Sequence, residues 1–344
     1  DRPAPGRAPA VRPLILANFA TVVGGGEIGL DLLAEGLRRR GVSPIIVTPG
    51  RGPVGERFDR RVIPTAIGEG ALALRSLARE ADLVHTMGVR GMVTATLART
   101  GRPLILHALI DLADPLDPLV GEVADLVVCN SAATATRFPG ARRVEVVHNG
   151  VPEPVTPSRS LGLDPGRRHI GVIGRPAWWK GHLDLLPALE AIVAGRDDVD
   201  IVVAGRMGGE VADQVQDLAD RSAGRILVLG WVPKMRNHLA ELDLVVVPSL
   251  VEGFGRVAAE AMRAGVPVVA RRAGGLPEVL EGVTDPWLPD DPTGWKDKIL
   301  ATLDRPPDRP KRLKELGARF SPDRYVDRMC SLYDELLSQG RPPD

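Results

Sequence analysis

Two carboxylates and a set of glycines follow one apolar run, LDLVVVPS, in the second half of the chain. In the segment from residue 248 to 279, PSLVEGFGRVAAEAMRAGVPVVARRAGGLPEV, Glu252 lies in a predicted loop and Glu260 lies in the helix that follows. Gly253 and Gly255 allow backbone N–H groups to approach a ligand closely, and the helix N-terminus carries partial positive charge. Phosphate suits these N–H groups, whereas carboxylates accept hydrogen bonds from hydroxyl groups. A nucleotide sugar contains both kinds of group.

This segment resembles the retaining nucleotide-sugar glycosyltransferases of family GT4, which have the GT-B fold. The resemblance rests on Glu252 and Glu260 with seven residues between them, followed by GGLPEV, in a strand–loop–helix–strand context. It implies that Glu260 holds the donor ribose and that Glu252, with the backbone of Gly253, Phe254 and Gly255, holds the sugar hydroxyls. An acidic residue near a helix start is also favoured by the helix dipole, which explains Glu260 alone but not the whole block.

A pair of cationic residues follows another predicted strand. In IGVIGRPAWWKGHLDLL, Arg175 and Lys180 flank a turn before a helix. Arg175 can hold a diphosphate with two N–H groups, and Lys180 adds a point charge where a departing diphosphate becomes negative. The family resemblance implies the same role. Either residue alone is explained equally well as a surface charge, but the presence of Glu252 and Glu260 favours a site.

A glycine-rich turn, VVGGGEIGL, spans residues 22–30 between the first predicted strand and the first helix. A turn of this kind at a helix N-terminus is an anion site, although it lacks the G-x-G-x-x-G spacing of dinucleotide sites. In the similar family, this loop approaches the donor phosphates and the acceptor. We therefore predict contacts through the backbone N–H groups of Gly25 and Gly26, the alternative being a turn that needs glycine only for its conformation.

Two histidines end neighbouring predicted strands. His107 closes RPLILHA, and family members carry a histidine at this strand end, facing the transferred sugar. His85, in DLVHTMG, is the competing candidate. A histidine at a strand end is more often structural than catalytic, and only its position in the family favours His107. Ala108 follows it, where relatives frequently have a small hydroxyl residue.

The remaining candidate residues are placed by position alone. Arg206 and Val232 follow two further predicted strands and can border the base and ribose. No general base is evident beside an acceptor site, which fits the retaining transfer that the resemblance implies. A glycosidase needs two carboxylates facing one bond, and only Asp111 or Asp114 offers a second one. We therefore interpret the carboxylates as groups that hold hydroxyls.

Bulk composition excludes several classes of protein. The 344 residues contain 44 basic and 44 acidic side chains, so no net charge attracts the chain to nucleic acid or an anionic membrane. Cys129 and Cys330 provide neither a disulfide framework nor metal-ligand spacing. No apolar run is long enough for a membrane span, and no signal-peptide pattern opens the chain. We expect a cytoplasmic monomer or homodimer that needs no metal or other cofactor.

Short apolar runs alternate with helical patterns along the chain, as in parallel sheets covered on both faces. About eleven predicted strands are too many for one ordinary sheet, so we expect the GT-B arrangement of two facing, doubly wound, Rossmann-like domains. The expected segments are a disordered leader (1–12), an acceptor domain (13–152), a Pro-rich linker (153–164), a donor domain (165–320) and a helix packing back on the first domain (321–340).

Ligands bind beyond the carboxyl ends of parallel strands, so all these motifs can converge on one cleft between the domains. The predicted reaction moves a sugar from a nucleoside-diphosphate sugar to a hydroxyl of a small soluble acceptor, as in natural-product or thiol biosynthesis. Two alternatives stay open: a nucleotide-sugar 2-epimerase on the same scaffold, and a non-catalytic protein that binds nucleotide sugars.

Overall fold

The computed structural model describes residues 11–18, 24–110, 112–157 and 159–339. Most of the predicted leader, the first two residues of the glycine-rich turn, Asp111 and residue 340 lie outside this part. The chain forms two compact units, one from residues 1–150 and 322–344 and the other from residues 151–321. None of the helices described has the length and apolar composition needed to cross a bilayer.

Two parallel sheets contain the strands that the structure describes. The first has the order β3-β2-β1-β4-β5-β6-β7, and the second has the order β10-β9-β8-β11-β12. The strands are β1 (Pro13–Leu16), β2 (Ile45–Thr48), β3 (Asp59–Val62), β4 (Leu83–Thr86), β5 (Leu104–Ala108), β6 (Leu126–Cys129), β7 (Val144–Val146), β8 (Arg168–Ile173), β9 (Val199–Ala204), β10 (Ile226–Gly230), β11 (Leu244–Val247) and β12 (Val268–Ala270). The predicted α/β class with doubly wound parallel sheets is confirmed.

Helices cover both faces of each sheet. They are α1 (Gly25–Arg39), α2 (Ile67–Leu77), α3 (Val89–Ala98), α4 (Asp117–Val123), α5 (Ala132–Ala135), α6 (His182–Gly195), α7 (Glu210–Arg221), α8 (Arg256–Ala264), α9 (Leu276–Val279), α10 (Trp295–Asp304), α11 (Pro310–Gly317) and α12 (Pro322–Ser338). Leu14 and Leu16 of β1 point into one apolar core and Ile15 points into the other, as the two-residue period of a strand requires. Such strands are apolar throughout because neither face meets water.

The last helix, α12, belongs to the first unit although it follows the second unit in sequence. It packs on α1, where a side chain at Gly36 would lie 2.4 Å from Val326 Cγ2. The close approach buries Met329, Leu332 and other apolar residues of α12 against the sheet. The helix thereby completes one of the two cores of the first unit.

The segment predicted as a linker is attached to the second unit. Its backbone N–H groups at Val155 and Leu161 donate to the side chains of Asn237 and Glu241, at 3.2 and 2.8 Å. It contains no helix or strand among its described residues. Its Pro-rich composition therefore marks irregular backbone that is nevertheless tied to one unit.

Candidate functional site

The second sheet contains a point at which the strand order reverses. The chain builds β8, β9 and β10 outward in one direction and then places β11 and β12 on the other side of β8. The helices after β8 and β11 consequently cover opposite faces, and the crevice between the two loops is the usual ligand site of such sheets. The loop after β8 carries Arg175 and Lys180, and the loop after β11 carries Glu252.

Lys180 and Glu252 meet across this reversal point. Lys180 Nζ donates to Glu252 Oε2 at 2.6 Å, and Ser249 Oγ donates to the same oxygen at 3.1 Å. The Lys180 and Glu252 side chains are 28% and 14% exposed, so both remain accessible to a ligand. An ammonium group has three donors, which leaves Lys180 able to bind phosphate while it orients the carboxylate.

Backbone contacts between the two loops also fix the positions of Lys180 and Glu252. The N–H groups of Leu250 and Val251 donate to the Trp179 carbonyl oxygen at 2.8 and 3.1 Å, which ties the two loops together. Gly181 precedes α6 with φ of 69°, and a Cβ there would lie 2.0 Å from the Pro248 carbonyl oxygen. Only glycine combines that backbone conformation with that approach.

Two exposed guanidinium groups follow the adjacent strands β8 and β9. Arg175 stacks over the Trp179 ring, with 5.1 Å between Cζ and the ring centroid. Neither Arg175 nor Arg206 forms an ion pair within the described ranges. A Cβ at Gly205 would lie 2.1 Å from the Gly174 carbonyl oxygen, so the two strand ends are in close backbone contact. Val232 lies half-buried beyond β10, the next strand outward.

Helix α8, which carries Glu260, starts from a buried loop. Gly255 caps it with φ of 98°, and the Phe254 ring is 2% exposed and packs edge-on against Phe320 at 5.2 Å. Only the backbone of Phe254 is therefore available to a ligand. The Glu260 side chain is 12% exposed, and Arg256 Nη1 lies 3.7 Å from its carboxylate. Burial raises the pKa of Glu260, and the cationic charge of Arg256 opposes the shift.

His182 is a neighbour of this pair that our sequence analysis did not single out. It is the first residue of α6, is buried, and has both ring nitrogens without a hydrogen-bond partner among the described residues. Burial and the charge of Lys180 lower its pKa to about 4. It borders a cavity of about 10 Å³ shared with Lys180, Ser249 and Glu252. That space holds one water molecule at most, so a diphosphate must bind outside it.

A wider groove of about 210 Å³ lies elsewhere on the second unit, between α6 and α7. Its lining includes Glu190 and Asp217, and its one cation, Arg221, is paired with Glu190 at 2.9 Å. The negative charge of Asp217, which Arg221 does not neutralise, repels an anionic ligand. The smaller site at the strand reversal is chemically better suited to a nucleoside diphosphate.

The described part of the glycine-rich turn starts α1 in the first unit. The N–H of Gly24 donates to Glu27 Oε2 at 2.9 Å, so Glu27 closes the first turn of the helix. Gly25 and Gly26 are the first two residues of α1. A Cβ at Gly26 would lie 3.4 Å from Leu109 Cδ1, which places this helix start beside the end of β5.

The two candidate histidines form one buried hydrogen-bonded chain. Tyr333 OH lies 2.7 Å from His85 Nδ1, and His85 Nε2 lies 3.1 Å from His107 Nδ1. The two imidazole rings stack with centroids 5.2 Å apart. Burial lowers the pKa of His107 to about 4 and holds that of His85 well below its usual value, so both rings are neutral. His107 Nε2 ends the chain without a partner in the described part of the molecule.

Within the described ranges, His, Cys, Asp and Glu side chains form no group of three that could hold a metal ion. Asp114, the one described candidate for a second carboxylate, accepts a hydrogen bond from the Leu116 N–H at 2.9 Å in its own turn.

Two family models match the chain. Residues 23–153 match Glycosyltransferase Family 4, and residues 167–305 match Glycosyl transferases group 1. The chain is 31% identical over 265 residues to D-inositol 3-phosphate glycosyltransferase of Segniliparus rotundus, covering 67% of this chain and 58% of that protein. It is 30% identical over 195 residues to the lipopolysaccharide core biosynthesis mannosyltransferase LpsB of Rhizobium meliloti, covering 52% and 55%. The chain thus spans little more than half the length of these relatives.

Solved structures resemble the chain over almost its full length. One is HepE of Anabaena in complex with UDP, with a TM-score of 0.79, 22% identity, and coverage of 94% of this chain and 100% of the other. Another is the sucrose-phosphate synthase of Thermosynechococcus elongatus, with a TM-score of 0.81, 19% identity, and coverage of 96% and 100%. At these identities the likeness establishes the fold.

Proposed function

Since the chain belongs to glycosyltransferase family 4 and has the GT-B fold, we propose that it transfers a sugar from a nucleoside-diphosphate sugar to an acceptor hydroxyl. The transfer retains the anomeric configuration and uses no metal ion. In this reaction the bond between the anomeric carbon and the diphosphate oxygen breaks, and a bond to the acceptor oxygen forms. The acceptor proton passes to the departing diphosphate.

One observation carries the proposal: the Lys180–Glu252 pair lies at the strand reversal of the second sheet. A cation and a carboxylate held 2.6 Å apart at this position suit a ligand with phosphate on one side and hydroxyls on the other. A surface ion pair elsewhere on the fold would not support a site, because such pairs are common and contribute little.

The neighbouring groups extend this arrangement to a whole donor. Arg175, which contacts only the Trp179 ring within the described ranges, is available to neutralise the leaving diphosphate. The N–H groups at the start of α8, after Gly253 and Gly255, are available to the sugar or phosphate. In this proposal Glu260 holds the ribose, and Arg206 and Val232 border the base.

The first unit supplies the acceptor side in this proposal. Gly25 and Gly26 at the start of α1 lie beside the end of β5, which carries His107. We propose a small acceptor, because the chain resembles a protein named for D-inositol 3-phosphate. Inositol phosphates therefore head the acceptor panel.

The test begins with donor binding. Thermal shifts are measured with UDP, GDP, ADP, dTDP and the corresponding nucleotide sugars, with and without EDTA. We expect one nucleotide series to raise the melting temperature, with no change on addition of EDTA. The best donor is then incubated with the acceptor panel, and mass spectrometry follows transfer of the sugar.

The outcomes separate the competing functions. A glycosylated acceptor with retained configuration supports the proposal. A sugar epimeric at C2, free or still attached to the nucleotide, that forms from the donor alone without transfer to any acceptor indicates a 2-epimerase. Binding without turnover across the panel, unchanged in Glu252→Ala, indicates a non-catalytic binding protein. Loss of transfer in EDTA, restored by a divalent cation, contradicts the metal-independent mechanism.

A further inference from the structure

The chain Tyr333–His85–His107 connects the last helix of the molecule to the end of β5. Tyr333 lies on α12, His85 on β4 and His107 on β5, so three elements of one unit align three polar groups in an apolar core. Most buried polar groups have hydrogen-bond partners, so the unpartnered nitrogen at the end of this chain requires an explanation. The direction of the hydrogen bonds determines whether His107 Nε2 is a hydrogen-bond donor or an acceptor toward a ligand.

Both rings carry a single proton, because burial disfavours the imidazolium form. A neutral imidazole has one N–H donor and one lone-pair acceptor. The protons in the chain can therefore point in only two ways. Either every donor points from Tyr333 toward His107, or every donor points from His107 toward Tyr333.

The phenol decides between the two arrangements. Within the described residues, Tyr333 OH has His85 Nδ1 as its only hydrogen-bond partner. Each arrangement leaves one buried donor without a partner: the His107 Nε2–H if the phenol donates, or the phenol O–H if it accepts. The arrangements differ in the acceptors that they use. If the phenol donates, the strongly accepting nitrogens His85 Nδ1 and His107 Nδ1 are both paired and only a weakly accepting phenol lone pair is unused, whereas the reverse leaves the strongly accepting His107 Nε2 lone pair unused. Burial also raises the pKa of Tyr333, so the proton needed for donation is present.

We infer that Tyr333 and His85 are positioning residues that fix His107 in the Nε2–H tautomer, so that His107 serves glycosyl transfer as a neutral hydrogen-bond donor. Tyr333 OH donates to His85 Nδ1, His85 Nε2–H donates to His107 Nδ1, and the remaining proton is on His107 Nε2. This inference rests on the proposed function for its use, but the tautomer itself is a property of the free protein. It also assigns different roles to the two histidines, since His85 is internal to the chain and His107 ends it.

The natural partner of this donor is an oxygen of the substrate. His107 Nε2 is buried and has no partner in the described part of the chain, so an unsatisfied N–H is present at the carboxyl end of β5. A sugar hydroxyl or ring oxygen that displaces the covering atoms would satisfy it. The same proton prevents His107 Nε2 from acting as a general base, in agreement with a retaining transfer that needs none.

Nuclear magnetic resonance tests the tautomer without any substrate. Protein labelled with ¹⁵N-histidine is examined at pH 7.5 by two-bond ¹H–¹⁵N correlation, which distinguishes Nδ1–H from Nε2–H rings. The His107 signals are assigned by their loss in His107→Gln. We expect Nε2–H for both His85 and His107. A His107 ring protonated on Nδ1 overturns the inference, whatever the enzymatic assays show.

Tyr333→Phe tests the origin of the tautomer. We expect the His107 signals to change to those of mixed tautomers, and kcat to fall about fivefold to tenfold with little change in KM. Ser331→Ala, which removes an exposed hydroxyl from the same helix, is the matched control and should change neither. An unchanged tautomer in folded Tyr333→Phe overturns the role of Tyr333. Absence of transfer by the wild-type protein, with the tautomer as expected, contradicts only the proposed function.

Discussion

The two units place opposite kinds of polar chemistry at the ends of similar parallel strands. Beyond β8 and β11, Lys180 and Glu252 are charged, partly exposed and joined at 2.6 Å. In β4 and at the end of β5, the polar groups are neutral, buried and linked to α12. Both groups lie at the sheet edge where open α/β folds bind ligands.

The difference teaches how each unit obtains a defined geometry. Burial of a charged pair is costly, so the second unit leaves this pair partly exposed. Its position is fixed by backbone hydrogen bonds between the two loops. Neutral rings tolerate burial and are oriented by their neighbours, so the first unit fixes them through a hydrogen-bonded chain. The charged pair suits an anionic leaving group, whereas the neutral chain suits an uncharged hydroxyl.

The largest effect is expected when the cationic charge of Lys180 in the second unit is removed. Lys180→Ala should lower kcat of transfer by about 100-fold to 1000-fold, because a cation that stabilises a departing charge is lost. The His107 tautomer should be unchanged, because Lys180 belongs to the other unit. Lys311→Ala, an equal loss of charge at an exposed position of α11, is the control. Equal kcat in the two variants would exclude Lys180 from the chemistry.

The backbone support of the charged pair gives the next effect. Gly181→Ala should lower the free energy of unfolding of the second unit by about 3 kcal/mol, from a left-handed alanine and a clash with Pro248. Gly224→Ala, in a turn of the same unit, has a similar positive φ of 79° but nothing within 4 Å, and should cost about 1 kcal/mol. All five tryptophans lie in the second unit, so tryptophan fluorescence during urea unfolding reports both changes.

Equal decreases in the free energy of unfolding of these two variants would show that the close approach of residue 181 to Pro248 does not affect stability. A loss of donor binding in Gly181→Ala but not in Gly224→Ala would connect that approach to the site.

The smallest expected effect is a loss of folding stability at acidic pH, which should differ between the two units. An unfolded histidine binds a proton below about pH 6.5, whereas folded His107 does so only near pH 4. Between these values the unfolded state binds more protons, so stability rises with pH and is complete above pH 6.5. At pH 5, His107 alone should cost the first unit about 2 kcal/mol relative to pH 7.5.

Both tyrosines lie on α12, so near-ultraviolet tyrosine signals follow the first unit. His85 adds to the loss of stability of the first unit at acidic pH, and His182 causes a similar loss of stability in the second unit. We expect the tyrosine-detected transition to weaken more than the tryptophan-detected one, and His107→Gln to reduce the difference. An equal loss in both units would contradict the comparison.

The fold was largely predictable from the sequence because its strands are apolar on both faces. The helix predicted to carry Glu260 is α8, Arg256–Ala264, and the apolar runs LDLVVVPS, RPLILHA and DLVHTMG each contain a strand. Strand β3, Asp59–Val62, was missed because it lies at a sheet edge with polar side chains, DRRV, that carry no apolar signal.

The site was less predictable because its contacts join distant residues. Glu252 and Lys180 were singled out by motif, but their direct pairing depends on the strand order. The hydrogen bond between Tyr333 and His85 could not be predicted, since the two residues are 248 positions apart in sequence. His182 follows Lys180 by two residues, and only the structure reveals that its ring is buried beside the pair.

The discontinuity of the first unit has a consequence for biosynthesis. Residues 1–150 leave the ribosome long before α12, yet α12 covers one face of their sheet and supplies Tyr333 to the histidine chain. During translation of residues 151–321 that apolar face lacks its cover and is open to aggregation. Chaperone binding to the nascent chain should therefore persist until the last helix emerges, and a chain that stops at residue 321 should remain dependent on it.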